Sequence, residues 1–232
     1  MLALLAAALA AAPAPPPPPT PPPVVIGRSA LGRPITARRI GDPSSPRKAI
    51  VFGAIHGDEG AGRSVVRLLA ADSRGATSDV WLISTANPDG SVRDRRTNAH
   101  GVDLNRNFSR GWRAGARGRL DYPGSRPFSE PESRAVRSLI LRLRPRVTIW
   151  FHQPWGQVLA PCHGPATLQR RYARIARMPV KRCRGSDLPG TATRWQMHAV
   201  PGSTAFVVEL AAGRLPAAAV RRHVRAVHAV VG

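Results

Sequence analysis

The chain has 232 residues, 43% of them hydrophobic, with 35 Lys and Arg against 13 Asp and Glu for a formal net charge of +22. That length and apolar content suit one sizeable α/β core or two small ones, and one folded domain is expected. The charge alone does not make a nucleic-acid binder, because the arginines are spread over residues 110–119, 134–146, 170–184 and 214–225 with no RNA-binding or zinc-finger signature, so no nucleic-acid partner is expected.

The first twelve residues, Met1 to Ala12, are almost all Leu and Ala. The run suits a signal-peptide core and falls short of the roughly 20 residues that span a bilayer, so no stable membrane span is expected. Export to a secreted, periplasmic or envelope location is the favoured reading. No Lys or Arg precedes the run, and a cytoplasmic location is the alternative if it is not a signal. Residues 13–23 hold nine prolines in eleven positions, a stiff polyproline spacer that cannot join a packed core. The folded domain is therefore placed at 24–232. A field of this sign would also attract anionic envelope polymers, setting encounter and retention more than chemistry.

Residues 48–55 read as a buried strand ending at His56-Gly57-Asp58-Glu59, and Gly60 to Ala71 as the helix after it. Val80 to Ser84 is the next strand, halted by the turn residues Asn87-Pro88-Asp89-Gly90. Strand, helix, strand implies a right-handed crossover and a largely parallel sheet. Residues 91–128 lack apolar periodicity and are rich in Gly, Arg and Asn, which reads as a functional loop region. Ser129-Glu130-Pro131-Glu132 opens a helix to about Leu143: Ser can cap, Pro suits an early helical position, and the acids suit the dipole. A strand over 146–151, a helix near 166–177, a strand from Thr204 to Leu210 and a helix from Pro216 to Val230 complete the chain. The fold class is α/β, a single domain with a mixed, largely parallel twisted sheet flanked by helices.

In open α/β sheets ligands bind beyond the carboxyl ends of strands, where His56, His152 and Glu209 all fall. A catalytic zinc takes three protein ligands from His and carboxylate and keeps a fourth position for water, and His56, Glu59 and His152 fit that count for one Zn2+. Glu209 ends a strongly apolar strand, a low-dielectric setting that tunes a carboxylate toward general-base work. Arg106 beside Asn105, in a Gly-flanked loop, can hold a substrate carboxylate in a bidentate fork. A second guanidinium near the metal can polarise a scissile carbonyl. Cys162 and Cys183 are 21 positions apart. A bridge closing that loop would contribute about 3 kcal/mol, and two buried free thiols are the other reading. His100 reads as solvent-facing, Trp150 as core, and Trp155 as a pocket wall, while His163, His198, His223 and His228 have no partner at metal spacing.

His56-x-x-Glu59, Asn87-Pro88-Asp89-Gly90, Asp103-Leu104-Asn105-Arg106-Asn107-Phe108, His152 and Glu209 resemble, in order and rough spacing, the zinc carboxypeptidase family over residues 27–212. Within it, Arg96 to Asp103 and the stretch from Pro189 to Trp195 look most like the murein peptide amidase branch, which removes diaminopimelate from the γ-D-glutamyl bond of cell-wall peptides. The resemblance implies that His56, Glu59 and His152 are zinc ligands, Glu209 the base, Arg96 the carbonyl polariser, and Asn105 with Arg106 the carboxylate clamp. The implied partner is a peptide with a free carboxylate, of cell-wall origin. Digestive members carry a tyrosine upstream of the catalytic Glu; here Asp187 and Leu188 occupy that neighbourhood and no Tyr follows Tyr172, so no phenol is expected to help. The domain is also short for the family, which implies trimmed loops. Two other readings share some of these residues: an amidohydrolase resembling the aspartoacylase relatives, acting on N-acyl amino acids, and a catalytically silent wall-binding module.

Overall fold

A computed structural model of the chain describes residues 22–72, 77–162, 164–183 and 188–232. The signal-like segment, the spacer up to residue 21, His163 and Asp187 lie outside them. Eight strands, β1 (Val24–Arg28), β2 (Pro34–Gly41), β3 (Lys48–Phe52), β4 (Asp79–Ile83), β5 (Val147–His152), β6 (Trp155–Leu159), β7 (Val180–Lys181) and β8 (Thr204–Ala211), form one sheet in the order β1-β2-β4-β3-β5-β8-β6-β7. Four pairings are parallel, β3 with β4, β3 with β5, β5 with β8 and β6 with β7. The other three, β1 with β2, β2 with β4 and β6 with β8, are antiparallel.

The central strands are buried on both faces, which is why they read as continuous apolar runs. Alternation along each strand sorts its side chains between two cores. Ala49, Val51, Ile149, Phe151, Phe206 and Val208 face helices α1 (Ala61–Ala71), α4 (Thr167–Ala176) and α6 (Ala217–Val231). Ile50, Phe52 and Trp150 face the opposite layer with α3 (Pro131–Leu143) and α5 (Ala192–Ala199). Phe52 and Trp150 stack there with centroids 3.8 Å apart, worth about 0.5–1.5 kcal/mol beyond burial. α1 buries Val65, Val66 and Leu69 on one stripe, and its first free amide, Ala61 N, donates to Gln153 Oε1 at 2.9 Å, which ties the helix start to the end of β5. Among the described residues no helix is long and apolar enough to cross a membrane.

The principal elements lie where the periodicity puts them, with four differences. β3 stops at Phe52 and not at 55, because Gly53 N donates to Ile83 O and Ala54 O accepts from Ala86 N, turning the chain away from the ladder. Asn87-Pro88-Asp89-Gly90 is the start of a short helix, α2 (Pro88–Arg93), since Asn87 Oδ1 caps Gly90 N and Pro suits the first turn. The edge hairpin β1–β2 and the far strands β6 and β7 carry no strong apolar run and went unpredicted. α5 is short and buries only two apolar residues, Ala192 and Trp195, beside the polar Gln196, so its periodicity is weak.

Candidate active site

The last residue of β5 is His152, and in the parallel ladder it pairs directly with Glu209 of β8. His152 follows Trp150 by two, so it faces the layer of α3 and α5, and the register sets Glu209 beside it on the same side. The turn after β3 brings His56 and Glu59 to the same sheet edge. His56, Glu59 and His152 are 2%, 7% and 4% exposed, and their donor atoms gather within 4.8 Å of one another. His56 Nδ1 lies 2.8 Å from Glu59 Oε1, His152 Nδ1 lies 2.8 Å from Glu59 Oε2, and the two Nδ1 atoms face each other at 3.2 Å.

Two imidazole nitrogens and a carboxylate aimed at one buried point are lone-pair donors with nothing but protons to hold them together. A small divalent cation satisfies all of them at once, and two His with one Glu is a donor set for catalytic zinc. Among the described residues this is the one cluster of three or more His, Cys, Asp or Glu that could hold a metal ion. Burial pushes Glu59 upward, but hydrogen bonds from the imidazoles of His152 and His56 outweigh it and hold the carboxyl down to about 2. Burial likewise favours neutral His152, whose titration is lowered. An ionised carboxylate and a neutral imidazole are the states a metal requires.

The turn that carries His56 is fixed by backbone contact. A Cβ on Gly57 would fall 2.0 Å from the carbonyl carbon of Gly90 and 2.4 Å from Arg95 O, so only glycine lets the two turns touch. Gly57 N and Asn87 Nδ2 both donate to Arg96 O, at 3.4 and 3.3 Å. Arg96 is thereby held at the metal centre, with Nη1 3.4 Å from Glu59 Oε1 and 3.2 Å from His56 Nδ1.

Behind His56 stands Asp103, fully buried, a residue whose role sequence reasoning missed. Its Oδ1 lies 3.0 Å from His56 Nε2 and accepts from Asn105 N at 2.8 Å, while Oδ2 accepts from Arg96 Nη2 at 2.8 Å. Burial opposes the charge, yet the His56 bond and the Arg96 and Arg106 charges hold this carboxyl well below the usual range. The signal available was its place two residues before Asn105 in an arginine-rich loop. That loop is anchored to the start of α3: Asn98 Nδ2 donates to Glu130 Oε2 at 2.8 Å and to Glu132 Oε2 at 3.2 Å, and Asn107 bridges Pro123 O, Ser129 and Ser133.

Leu104–Arg106 form a 3-10 turn capped by Asp103. Asn105 Oδ1 accepts from Ala192 N at 3.0 Å, and its amide nitrogen lies 3.5 Å from His152 Nε2. Arg106 Nη1 donates to Asn105 O at 2.8 Å. Gly190, at φ +65°, presses on Arg106 so closely that a Cβ would meet Arg106 O at 2.1 Å, and its carbonyl accepts from Phe108 N.

A cavity of about 470 Å³ connects these groups; His56, Glu59, Arg96, Asn105, Arg106, His152 and Glu209 all line it. The structure therefore brings together all seven sequence-predicted site residues. Burial, followed by the neighbouring Glu59 charge, raises Glu209 to about 7, and its Oε2 is enclosed without a hydrogen-bond partner. A carboxyl of that kind exchanges a proton near neutrality. Trp155, 63% exposed, lines the same cavity, whereas Trp150 is core. His100 is more than half exposed at its side chain, with Nδ1 2.7 Å from Glu130 Oε2. Cys162 and Cys183 are joined by a disulfide, which settles the choice between bridge and free thiols.

The zinc carboxypeptidase family profile matches residues 22–170. The chain is 32% identical over 185 residues to murein peptide amidase A of Escherichia coli, covering 73% of this chain and 74% of the relative, and 30% identical to that of Vibrio campbellii, covering 73% and 72%. Among solved structures, the murein-tripeptide amidase of Escherichia coli O157 superposes with a TM-score of 0.76 at 26% identity, over 92% of this chain and 93% of that one. Carboxypeptidase A from Helicoverpa armigera, at 20% identity and a TM-score of 0.71 over 90% of this chain and 69% of that one, shares the fold.

Proposed function

From the premise that this chain belongs to the zinc carboxypeptidase family and is a peptide-bond hydrolase using one Zn2+, we propose that it cleaves the γ-D-glutamyl-diaminopimelate bond of cell-wall peptides. The observation that carries this is the single cavity in which the donor set, a carboxyl raised to about 7 and the Asn105-Arg106 pair all stand. The murein amidase relatives support the substrate class.

His56, Glu59 and His152 would hold the zinc, which would supply Lewis acidity and lower the pKa of water toward neutrality when bound. Arg106, its guanidinium oriented by the Asn105 carbonyl, and the Asn105 amide bind the carboxylate of the terminal residue, which fixes the bond to be cut relative to the sheet edge. Arg96 brings its Nη1 against the donor set and stabilises negative charge developing on the scissile carbonyl oxygen. Glu209 accepts a proton from the attacking water and returns it to the leaving amine nitrogen, so the carbon–nitrogen bond breaks as a carboxylic acid and a free amine form. Its carboxyl lines the cavity in which both transfers take place. Asp103 keeps His56 in the tautomer that leaves Nδ1 bare for the metal.

Domain limits of 24–232 and an exported location complete the proposal. The apolar start Met1–Ala12 and the Cys162–Cys183 bridge support export, since such bridges persist in oxidising compartments. The test is incubation of zinc-loaded protein with L-alanyl-γ-D-glutamyl-diaminopimelate, monitored by mass spectrometry. Release of free diaminopimelate is expected; a protein that binds one zinc and leaves this peptide intact contradicts the proposal.

A further inference from the structure

Past Asn105 and Arg106 the cavity runs on between α4, β6 and the chain that leaves β7. Its charges are unevenly placed. Among the described residues lining it, the carboxylates are Glu59 and Glu209, both at the metal end, while the far wall carries Lys181 and Arg182. Lys181 is one of only two lysines in the chain. Its backbone is held in place, because it pairs with Leu159 of β6 and its carbonyl accepts from Ala160 N at 2.9 Å. On the other side Cys183 is bridged to Cys162, so the segment bearing both cations is anchored at each end.

The third feature is Gln169 of α4. It lines the cavity at 1% exposure, and its Oε1 is enclosed with no hydrogen-bond partner among the described residues. A buried acceptor left unmet is costly, and a ligand N–H that reaches it removes that cost. Leu159, Ala205 and Val207 supply apolar surface around the same space. The complement of this wall is an aliphatic stem whose tip bears a carboxylate and an N–H donor.

We infer that Lys181 and Arg182 select, among terminal residues, those whose side chain ends in a carboxylate, and that Gln169 takes the nitrogen at the same tip. The inference rests on the peptidase reading above and names the residues that would give it side-chain specificity. Lysine-terminated peptides, which bring an ammonium toward two cations, are disfavoured by the same wall.

The experiment compares four acyl-γ-D-glutamyl peptides ending in diaminopimelate, 2-aminopimelate (distal carboxylate only), lysine (distal ammonium only) and norleucine (neither). For the wild type, kcat/KM for 2-aminopimelate exceeds that for norleucine by roughly tenfold, and lysine is the poorest. In Lys181→Met/Arg182→Met the 2-aminopimelate to norleucine ratio falls about tenfold, mainly through KM. Gln169→Met lowers the diaminopimelate to 2-aminopimelate ratio instead. A ratio unchanged by the double substitution, or lysine cleaved as well as 2-aminopimelate, overturns the inference while leaving the hydrolase reading intact. If none of the four peptides is cut, the proposed reaction fails, and calorimetric binding of free 2-aminopimelate and norleucine to the zinc-loaded protein decides the wall on its own: equal affinity for the two overturns it. Both cations are exposed, so the double variant retains the fold.

Discussion

Asp103 Oδ1 lies 3.0 Å from His56 Nε2 while His56 Nδ1 faces Glu59 and His152, so one imidazole links a buried carboxylate to the donor set. The same carboxylate accepts from Arg96 and from Asn105 N, which couples three of the proposed functional groups through a single side chain. Asp103→Asn keeps the shape but removes the charge that orients the ring. Zinc affinity is expected to fall about 10–100-fold, read by competition against a chromophoric chelator. An unchanged affinity would mean that His56 is oriented by packing alone.

Glu209→Gln removes the proton acceptor without disturbing the strand, because β5–β8 pairing is backbone work. Turnover is expected to drop roughly 10²–10⁴-fold with zinc stoichiometry still one. The base acts deprotonated, so the rate rises with pH through its titration. Burial and the Glu59 charge place that titration near 7 without metal, and a bound dication favours the carboxylate and moves it lower. The acid limb of kcat/KM is therefore expected below pH 7. A limb above 7, or activity surviving in Glu209→Gln, removes Glu209 from the role of base.

The residues that carry the chemistry were legible because each sits where a strong local pattern stops: His56 after the apolar run of β3, His152 at the end of β5, Glu209 near the end of β8. Their convergence could be argued from the parallel sheet, yet the direct His152–Glu209 pairing is a register, and register is set by neighbours that no single segment reveals. Asp103 was visible as a letter in a motif, but its contact with a histidine 47 positions away depends on the turn locked by Gly57 and Gly90. The edge hairpin was illegible for a plainer reason: the apolar residues of β1 are the short run Val24-Val25-Ile26, which neither alternates nor stands apart from the proline-rich spacer before it. Lys181 and Arg182 lie in and just past a two-residue strand too short to show a pattern, Gln169 is a polar residue on the buried stripe of α4, and the three meet only across the cavity.

Gly57→Ala tests the backbone contact between the two turns. The added methyl falls on Gly90 and Arg95 backbone, which cannot swing aside as a side-chain tip would. A loss of about 3 kcal/mol is expected, the upper end for overpacking, seen as a melting temperature lowered by roughly 10 °C. Weakened zinc binding accompanies it, because His56 rides on the displaced turn. Wild-type melting and wild-type metal affinity together would show that the turns separate freely.

The final prediction concerns acid stability and a pair far from the metal. His223 of α6 is buried against Phe151 and Tyr172, and its Nδ1 lies 2.7 Å from the Tyr172 hydroxyl. Burial first, and then the Arg222 charge, lower its titration to about 4, against an ordinary value of 6.5. In the unfolded chain the ring takes up a proton as pH falls through 6.5, whereas in the folded protein it stays neutral until about 4. The unfolded state thus binds more protons in that window, and the stability present above 6.5 is lost as the pH falls toward 4. A 2.5-unit gap corresponds to about 3 kcal/mol. Urea midpoints of the metal-free protein, measured from pH 7 to 4.5, are expected to fall more steeply for wild type than for His223→Gln, whose amide keeps a partner for the Tyr172 hydroxyl and does not titrate. Parallel slopes for the two proteins would show that His223 takes up its proton at the same pH folded and unfolded.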